Sequence, residues 1–336
     1  MEHQWILRAG HLRPSIRSSN DLETHVAKSS GTNVRQTLAR VTAAALTAAL
    51  AATATSAFAA DGTGPSFNPL GTQGKTSGPE RFSTSTTAAT AEDAQVNPLY
   101  GVDNNGDMWG YGLDGKGGLT ARENVGYGWK YARFITQVDH DNDGFADGIW
   151  HVTNGNLYSW LDADTDAVQV GHGWNIYNRL LSAGNLGGAA ADDLIARDGD
   201  GVLWLYLGYG NGKVTSRYRV GGGWNIYNRI AGKGDLTGDG KDDIVAEDTS
   251  GVLWLYKGTG DYKAPFESRT RIGGGWWIYN EIVSVGDIDI DGITDLVARD
   301  KDGALWLYKG TGNAAAPFQS RVKIGSGGWN TYRLLF

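Results

Sequence analysis

The chain has 336 residues, 37 acidic against 30 basic side chains and no cysteine. A disulfide framework is therefore excluded, and no basic face of the kind nucleic acid requires is present. Stability has to come from a buried core, and 50 glycines with 13 tryptophans suit a turn-rich, aromatic β architecture.

Residues 41–57, VTAAALTAALAATATSA, form an apolar run preceded by Arg35 and Arg40 and followed by the small-x-small triplet Ala57-Phe58-Ala59. This reads as a secretory signal peptide cut near Ala59 or Ala60, so residues 1–60 are assigned to the signal region and the protein to the outside of the cell. The run is too short and too rich in Ala and Thr for a membrane span, and no second hydrophobic span follows. Residues 1–33 are polar and overlong for an n-region, which points to Val34 as the translation start. Losing residues 1–60 removes six basic and three acidic side chains and leaves a net charge of −10. Residues 61–96 are rich in Gly, Ser, Thr, Ala and Pro, and the expectation there is a disordered linker.

From Asn97 to Phe336 the chain repeats. A glycine followed by an apolar-aromatic run opens at Gly106, Gly155, Gly201, Gly251 and Gly303, at offsets of 49, 46, 50 and 52 residues. A second marker, Gly-Trp-x-x-Tyr or close to it, keeps phase at Trp129, Trp174, Trp224, Trp276 and Trp329. The last period predicts four strands, Ile282–Val285, Asp295–Arg299, Ala304–Lys309 and Arg321–Ile324, and shows no helical periodicity. Five such periods predict an all-β, five-bladed propeller over residues 97–336. In Val252-Leu-Trp-Leu-Tyr256 both alternating faces are apolar, as expected of a strand sandwiched between neighbouring blades. Asn97-Pro-Leu-Tyr-Gly-Val enters in the phase of a second strand and Asn330–Phe336 ends in the phase of a first. The C-terminal strand is thus expected to complete the first blade and close the ring.

Between the first two strands of a period lies an acidic loop. Three copies carry oxygen ligands at positions 1, 3, 5 and 9 with glycine at position 6: Asp139 to Asp147, Asp235 to Asp243 and Asp287 to Asp295. That spacing of hard oxygens around a tight bend suits Ca²⁺. These loops resemble FG-GAP (VCBS-type) repeats, found in integrin α-subunit propellers and many secreted bacterial proteins. The overall period also resembles, more loosely, tachylectin, a five-bladed sugar-binding propeller. The resemblance implies side-chain ligands at positions 1, 3, 5 and 9 and a carbonyl ligand at position 7. In the first loop these are Asp139, Asp141, Asp143, Asp147 and the Phe145 carbonyl. In the second they are Asp235, Thr237, Asp239, Asp243 and the Lys241 carbonyl. In the third they are Asp287, Asp289, Asp291, Asp295 and the Ile293 carbonyl, so about three Ca²⁺ ions are expected. Position 12 holds Trp150, Ala246 or Ala298 and strand follows, which excludes an EF-hand. A fourth copy, Asn185, Gly187, Ala189 and Asp193, has too few oxygens for an ion.

Of the three histidines after residue 60, His140, His151 and His172, neither His140 nor His172 has a nucleophile partner, no zinc spacing occurs, and the glycine runs precede Trp rather than a helix. A binding protein is expected rather than an enzyme. The segments holding Trp174, Asn175 and Tyr177, Trp224, Asn225 and Tyr227, and the related Trp276, Tyr279 and Trp329, either stack on sugar rings or wedge between blades. Trp277 replaces the asparagine in one copy, so any sites are unequal. The reading is a secreted, monomeric, calcium-binding propeller for an extracellular glycan, the alternatives being a protein-adhesion propeller and a polysaccharide hydrolase or lyase.

Overall fold

The Gly-x-Leu-Trp-Leu-Tyr repeats become the third strand of successive four-stranded antiparallel sheets in the computed structural model, which describes residues 64–70, 94–162 and 164–336. The first blade holds β1 (Leu99–Asp103), β2 (Met108–Tyr111) and β3 (Glu123–Gly126); the second holds β4 (Ala132–Val138), β5 (Gly148–Thr153), β6 (Asn156–Leu161) and β7 (Val168–His172). The third holds β8 (Tyr177–Gly184), β9 (Asp193–Asp198), β10 (Leu203–Tyr206) and β11 (Tyr218–Gly221). The fourth holds β12 (Tyr227–Ala231), β13 (Ile244–Asp248), β14 (Leu253–Tyr256) and β15 (Thr270–Gly273). The fifth holds β16 (Tyr279–Val283), β17 (Leu296–Asp300), β18 (Leu305–Tyr308) and β19 (Val322–Gly325), after which β20 (Tyr332–Leu335) returns to the first. Five blades of four strands form the expected all-β propeller.

Closure follows the predicted phase. β20 pairs antiparallel with β1, Gly101 opposite Leu335 and Val102 opposite Leu334, and Tyr100 and Phe336 exchange both backbone hydrogen bonds at 2.8 and 3.0 Å. The first and last parts of the ring are thereby zipped into one sheet and the inner edge is covered.

The core is five apolar layers between blades rather than one centre. In β14, Leu253 and Leu255 enter the layer shared with the fifth blade, while Trp254 and Tyr256 enter the layer shared with the third. Burial on both faces explains why this strand is apolar at every position. The predicted first strand of the fifth blade, Ile282–Val285, runs instead from Tyr279 to Val283. Val285 is buried in the loop beyond it, because the tight turn into the acidic loop ends the ladder early.

Residues 1–60 and most of the expected linker lie outside the described residues. Its stretch 64–70, however, lies against the first blade: Ser66 and Asn68 donate to the Tyr127 and Val125 carbonyls, and the Trp129 indole donates to the Ser66 carbonyl at 2.8 Å. Phe67 sits edge-on to Tyr100, Trp129 and Trp160. Two apolar side chains, Phe67 and Leu70, give this piece of a polar segment something to bury. Among the described residues no helix is long and apolar enough to cross a membrane.

Candidate calcium loops and ligand face

The acidic loops join inner to second strands and gather on one face of the propeller. Their position-1 carboxylates fold the loop on itself. Asp139 accepts from the N–H groups of Asp141, Asn142 and Gly144, and Asp235 from those of Thr237, Gly238 and Gly240. Asp287 accepts from Asp291 and Gly292. At position 7, the N–H groups of Phe145, Lys241 and Ile293 each donate to the position-5 carboxylate, Asp143, Asp239 or Asp291. Position 9 is a buried joint: Asp243 accepts from Leu236 and Gly258, and Asp295 from Ile288 and Gly310. The degenerate copy keeps this joint, with Asp193 accepting from Gly187 and Gly208. That aspartate thus belongs to the hairpin whether or not an ion is bound.

Two loops bring three carboxylates close enough for one cation. Oxygens of Asp139, Asp141 and Asp147 lie within 4.8 Å of one another, as do those of Asp287, Asp289 and Asp291. The expected ligands Asp143 and Asp295 stand outside these groups, and the second loop gathers no such trio among the described residues. The donor set is all hard oxygen, and the Asp289 side chain, 7% exposed, has an Oδ1 with no hydrogen-bond partner. A buried, unsatisfied carboxylate oxygen facing two more carboxylates fits a divalent cation. Burial pushes the Asp139 and Asp287 carboxyls up to about 6 and those of Asp243 and Asp295 to about 7, with neighbouring aspartates adding to each rise. Position 4 takes the left-handed conformation in every copy, at Asn142, Gly188, Gly238 and Ile290. At Ile290, φ of 61° on a β-branched residue is strained.

Sequence reasoning missed position 8. Asp192 accepts from Asp139 N–H at 3.0 Å, Asp242 accepts from Asn185 N–H at 2.5 Å, and Thr294 Oγ1 donates to the Lys233 carbonyl at 3.4 Å. Each joins its blade to the one before. Near the axis Lys233 Nζ lies 2.5 Å from Asp192 and bonds the Gln137 carbonyl, while Gln95 Nε2 donates to Asp192 at 2.8 Å. Above this polar floor is a cavity of about 120 Å³ lined by all five inner strands, with Arg179, Arg229 and Glu281 facing Phe134 and Leu334.

The opposite face carries the Gly-Trp segments as single 3₁₀ turns, each entered through a left-handed glycine such as Gly173 or Gly223. Here the stacking expected of Trp174, Tyr177, Trp224 and Tyr227 has no open ring to use, because all four side chains are buried. Trp174 packs on Tyr206 at 4.6 Å and Trp224 on Tyr256 at 4.7 Å; Trp276 and Trp329 do the same with Tyr308 and Tyr111. They wedge between blades. Asn175 and Asn225 do point outward, and Asn225 donates to the Gly199 carbonyl. The open aromatic surface on this face belongs to Tyr127, Tyr131 and Trp277, the last 60% exposed.

A further repeated constellation stands at the blade seams. Asp198 caps its own turn and accepts from the Trp204 indole at 2.8 Å; Arg217 lies 3.9 Å above that indole and donates to the Tyr177 hydroxyl. The same set occurs as Asp103, Trp109 and Arg122, as Asp248, Trp254 and Arg269, and as Asp300, Trp306 and Arg321. The second blade lacks it, with Thr153 and Tyr158 in place of Asp and Trp. Of the three histidines considered, His151 is stacked on Tyr158 and edge-on to Trp129, and burial holds its imidazole down at about 3. His140 is buried against Trp150, and His172 is exposed.

Compared with known families, residues 235–298 match the FG-GAP-like repeat. The match covers this stretch and not the whole chain. It opens at Asp235 of the second acidic loop and runs through the third into β17. No curated protein is significantly similar to the chain. Among solved structures, Prp20p of Saccharomyces cerevisiae, described with its binding to Gsp1p and histones, is 11% identical with a TM-score of 0.35, over 68% of this chain and 61% of that one. The BP39L lectin of Burkholderia pseudomallei is 13% identical with a TM-score of 0.41, over 70% and 71%. Regucalcin of Agrobacterium tumefaciens, a calcium-binding protein, is 12% identical with a TM-score of 0.38, over 68% and 75%. These distant likenesses bear on no residue of the site.

Proposed function

We propose that the chain is a secreted, calcium-binding propeller that acts as a binding module for carbohydrate, with calcium on one face and the glycan on the other. Secretion rests on the apolar run at 41–57. The calcium reading rests on the paired trios Asp139, Asp141, Asp147 and Asp287, Asp289, Asp291. When bound, calcium neutralises carboxylates that otherwise repel one another and ties the loop turns together. The observation that carries the glycan reading is the 3₁₀ turn repeated on the opposite face, which presents amides at Asn175, Asn225 and Asn330 and open rings at Tyr131 and Trp277. Flat rings beside amide donors and acceptors suit a sugar's apolar face and hydroxyls.

The test is a glycan array followed by affinity measurement on the best ligand. Trp277→Ala and the pair Asn175→Ala with Asn225→Ala are each expected to weaken binding by about 3- to 10-fold, one lost stacking or hydrogen-bonding contact being worth about 0.5–1.5 kcal/mol. The melting temperature in calcium should not change. Retention of full affinity by both variants would place the ligand elsewhere, and an array without any hit would remove the carbohydrate reading.

A further inference from the structure

The residue after the third strand differs between blades in a way that bears on the acidic loops. It is Lys257 in the fourth blade and Lys309 in the fifth, but Leu207 in the third, and its counterpart in the second is Leu161. Lys257 Nζ lies 2.7 Å from Asp239 Oδ2, at position 5 of its loop. Lys309 Nζ pairs with Asp289 Oδ2, at position 3. Both ammonium groups therefore hold a carboxylate that the loop spacing assigns to an ion. The second-blade loop, with Leu161, receives no lysine from this position.

The pairing at Asp289 is incomplete. Lysine satisfies Oδ2 and leaves Oδ1 buried without a partner. One ammonium offers a single positive charge and donors that have to point at individual oxygens. A divalent cation attracts both oxygens and the neighbouring carboxylates together. Each lysine is more than a quarter exposed, so each has a way out to solvent. A methyl group on Gly117 would lie 3.4 Å from Asp289 Cβ and 3.5 Å from Lys309 Cε. The first-blade loop thus sits over this pair, at the seam where the ring closes.

We propose that Lys257 and Lys309 are built-in competitor cations that rank the loops by calcium affinity. In the ion-free protein each lysine offsets carboxylate repulsion in its own loop. Calcium entering the fourth or fifth blade has to displace an ammonium group, whereas calcium entering the second blade does not. The second-blade loop fills first, and the other two respond at higher calcium. This inference rests on the calcium reading of the loops.

The test is a calcium titration of the metal-free full chain by calorimetry, on the unsubstituted protein and on Lys257→Met, Lys309→Met and the double variant. Two classes of event are expected in the unsubstituted protein. Each substitution should raise affinity in the weaker class by roughly 2- to 5-fold, the range of a partly exposed ion pair, and leave the tighter class in place. Metal-free melting temperatures should fall, and calcium-loaded ones should not. Isotherms identical to that of the unsubstituted protein overturn the lysine inference while leaving calcium binding standing. Absence of calcium binding in every protein removes the calcium reading itself. Lys309→Arg keeps the charge and serves where Lys309→Met does not fold without metal; raised affinity in that variant also overturns the proposal.

Discussion

The buried pair between Lys233 and Asp192 should be among the most sensitive points of the ring. Both side chains are 3% exposed or less. The pair links three blades and the entry segment, since Lys233 bonds the Gln137 carbonyl and Asp192 takes donors from Gln95, Asp139 and Ser182. Lys233→Met removes the only cation bonded to Asp192 among the described residues and leaves a buried carboxylate without its counter-charge. Breaking a buried pair from one side costs about 3–5 kcal/mol, most of it the stranded charge rather than the lost attraction. For a propeller of this size that is a fall in melting temperature of about 6–20 °C. Adding Asp192→Asn removes the charge and keeps an oxygen for the Asp139 N–H, so the double variant should recover at least about 2 kcal/mol of the loss. Urea unfolding followed by tryptophan fluorescence, in calcium throughout, gives all corners of the cycle. A single-variant loss under about 1 kcal/mol, or a double variant no more stable than the single, would refute the reasoning.

Most of the fold was legible in the sequence because the informative strand is buried on both faces. Leu253, Trp254, Leu255 and Tyr256 have no polar side to hide their period, and the phase of Asn330–Phe336 against Asn97–Val102 foretold the closure. The acidic loops were legible as loops because their spacing is local. What a carboxylate does there was not. Asp243 and Asp295 look like ligands by spacing, yet each accepts one N–H from its own loop and one from beyond the third strand. Lys257 and Lys309 arrive from that same distant junction. Asp192 and Asp242 act on the preceding blade, a neighbour that no local spacing reveals. The tryptophans were ambiguous for another reason: a Gly-Trp turn at a strand entrance suits both a wedge and a platform. One signal was available and unused. Asp-x-x-Gly-x-x-Trp recurs at Asp103, Asp198, Asp248 and Asp300, and marks the indole held by its own turn.

Deleting residues 332–336 should strip β20 from β1 and leave Tyr100, Val102 and the first-blade layer open; size-exclusion chromatography is expected to show aggregation, and a soluble monomer of unchanged melting temperature would contradict the closure. Ile290→Gly should stabilise the chain by about 1 kcal/mol, because the residue is exposed and its left-handed backbone suits glycine; a destabilised variant would show that the side chain packs to advantage. The last expectation concerns pH. Asp139, Asp243, Asp287 and Asp295 have folded-state pKa values of about 6 to 7, raised first by burial, against an unfolded value of about 3.9. For a raised carboxyl the contribution to stability is full below the unfolded value and is lost as pH rises through the folded one. The metal-free protein should therefore lose stability from these groups between about pH 4 and pH 7. Calcium requires the ionised carboxylates, so its stabilisation should run the other way and grow over the same window. At 100 times the dissociation constant one site contributes about 2.7 kcal/mol, or about 5–11 °C in a domain of this size. Scanning fluorimetry of dialysed protein with and without calcium, at about pH 5 and about pH 8, separates the cases: the calcium shift should be several-fold larger at the higher pH, and equal shifts at both would show that these carboxylates do not gate the ion.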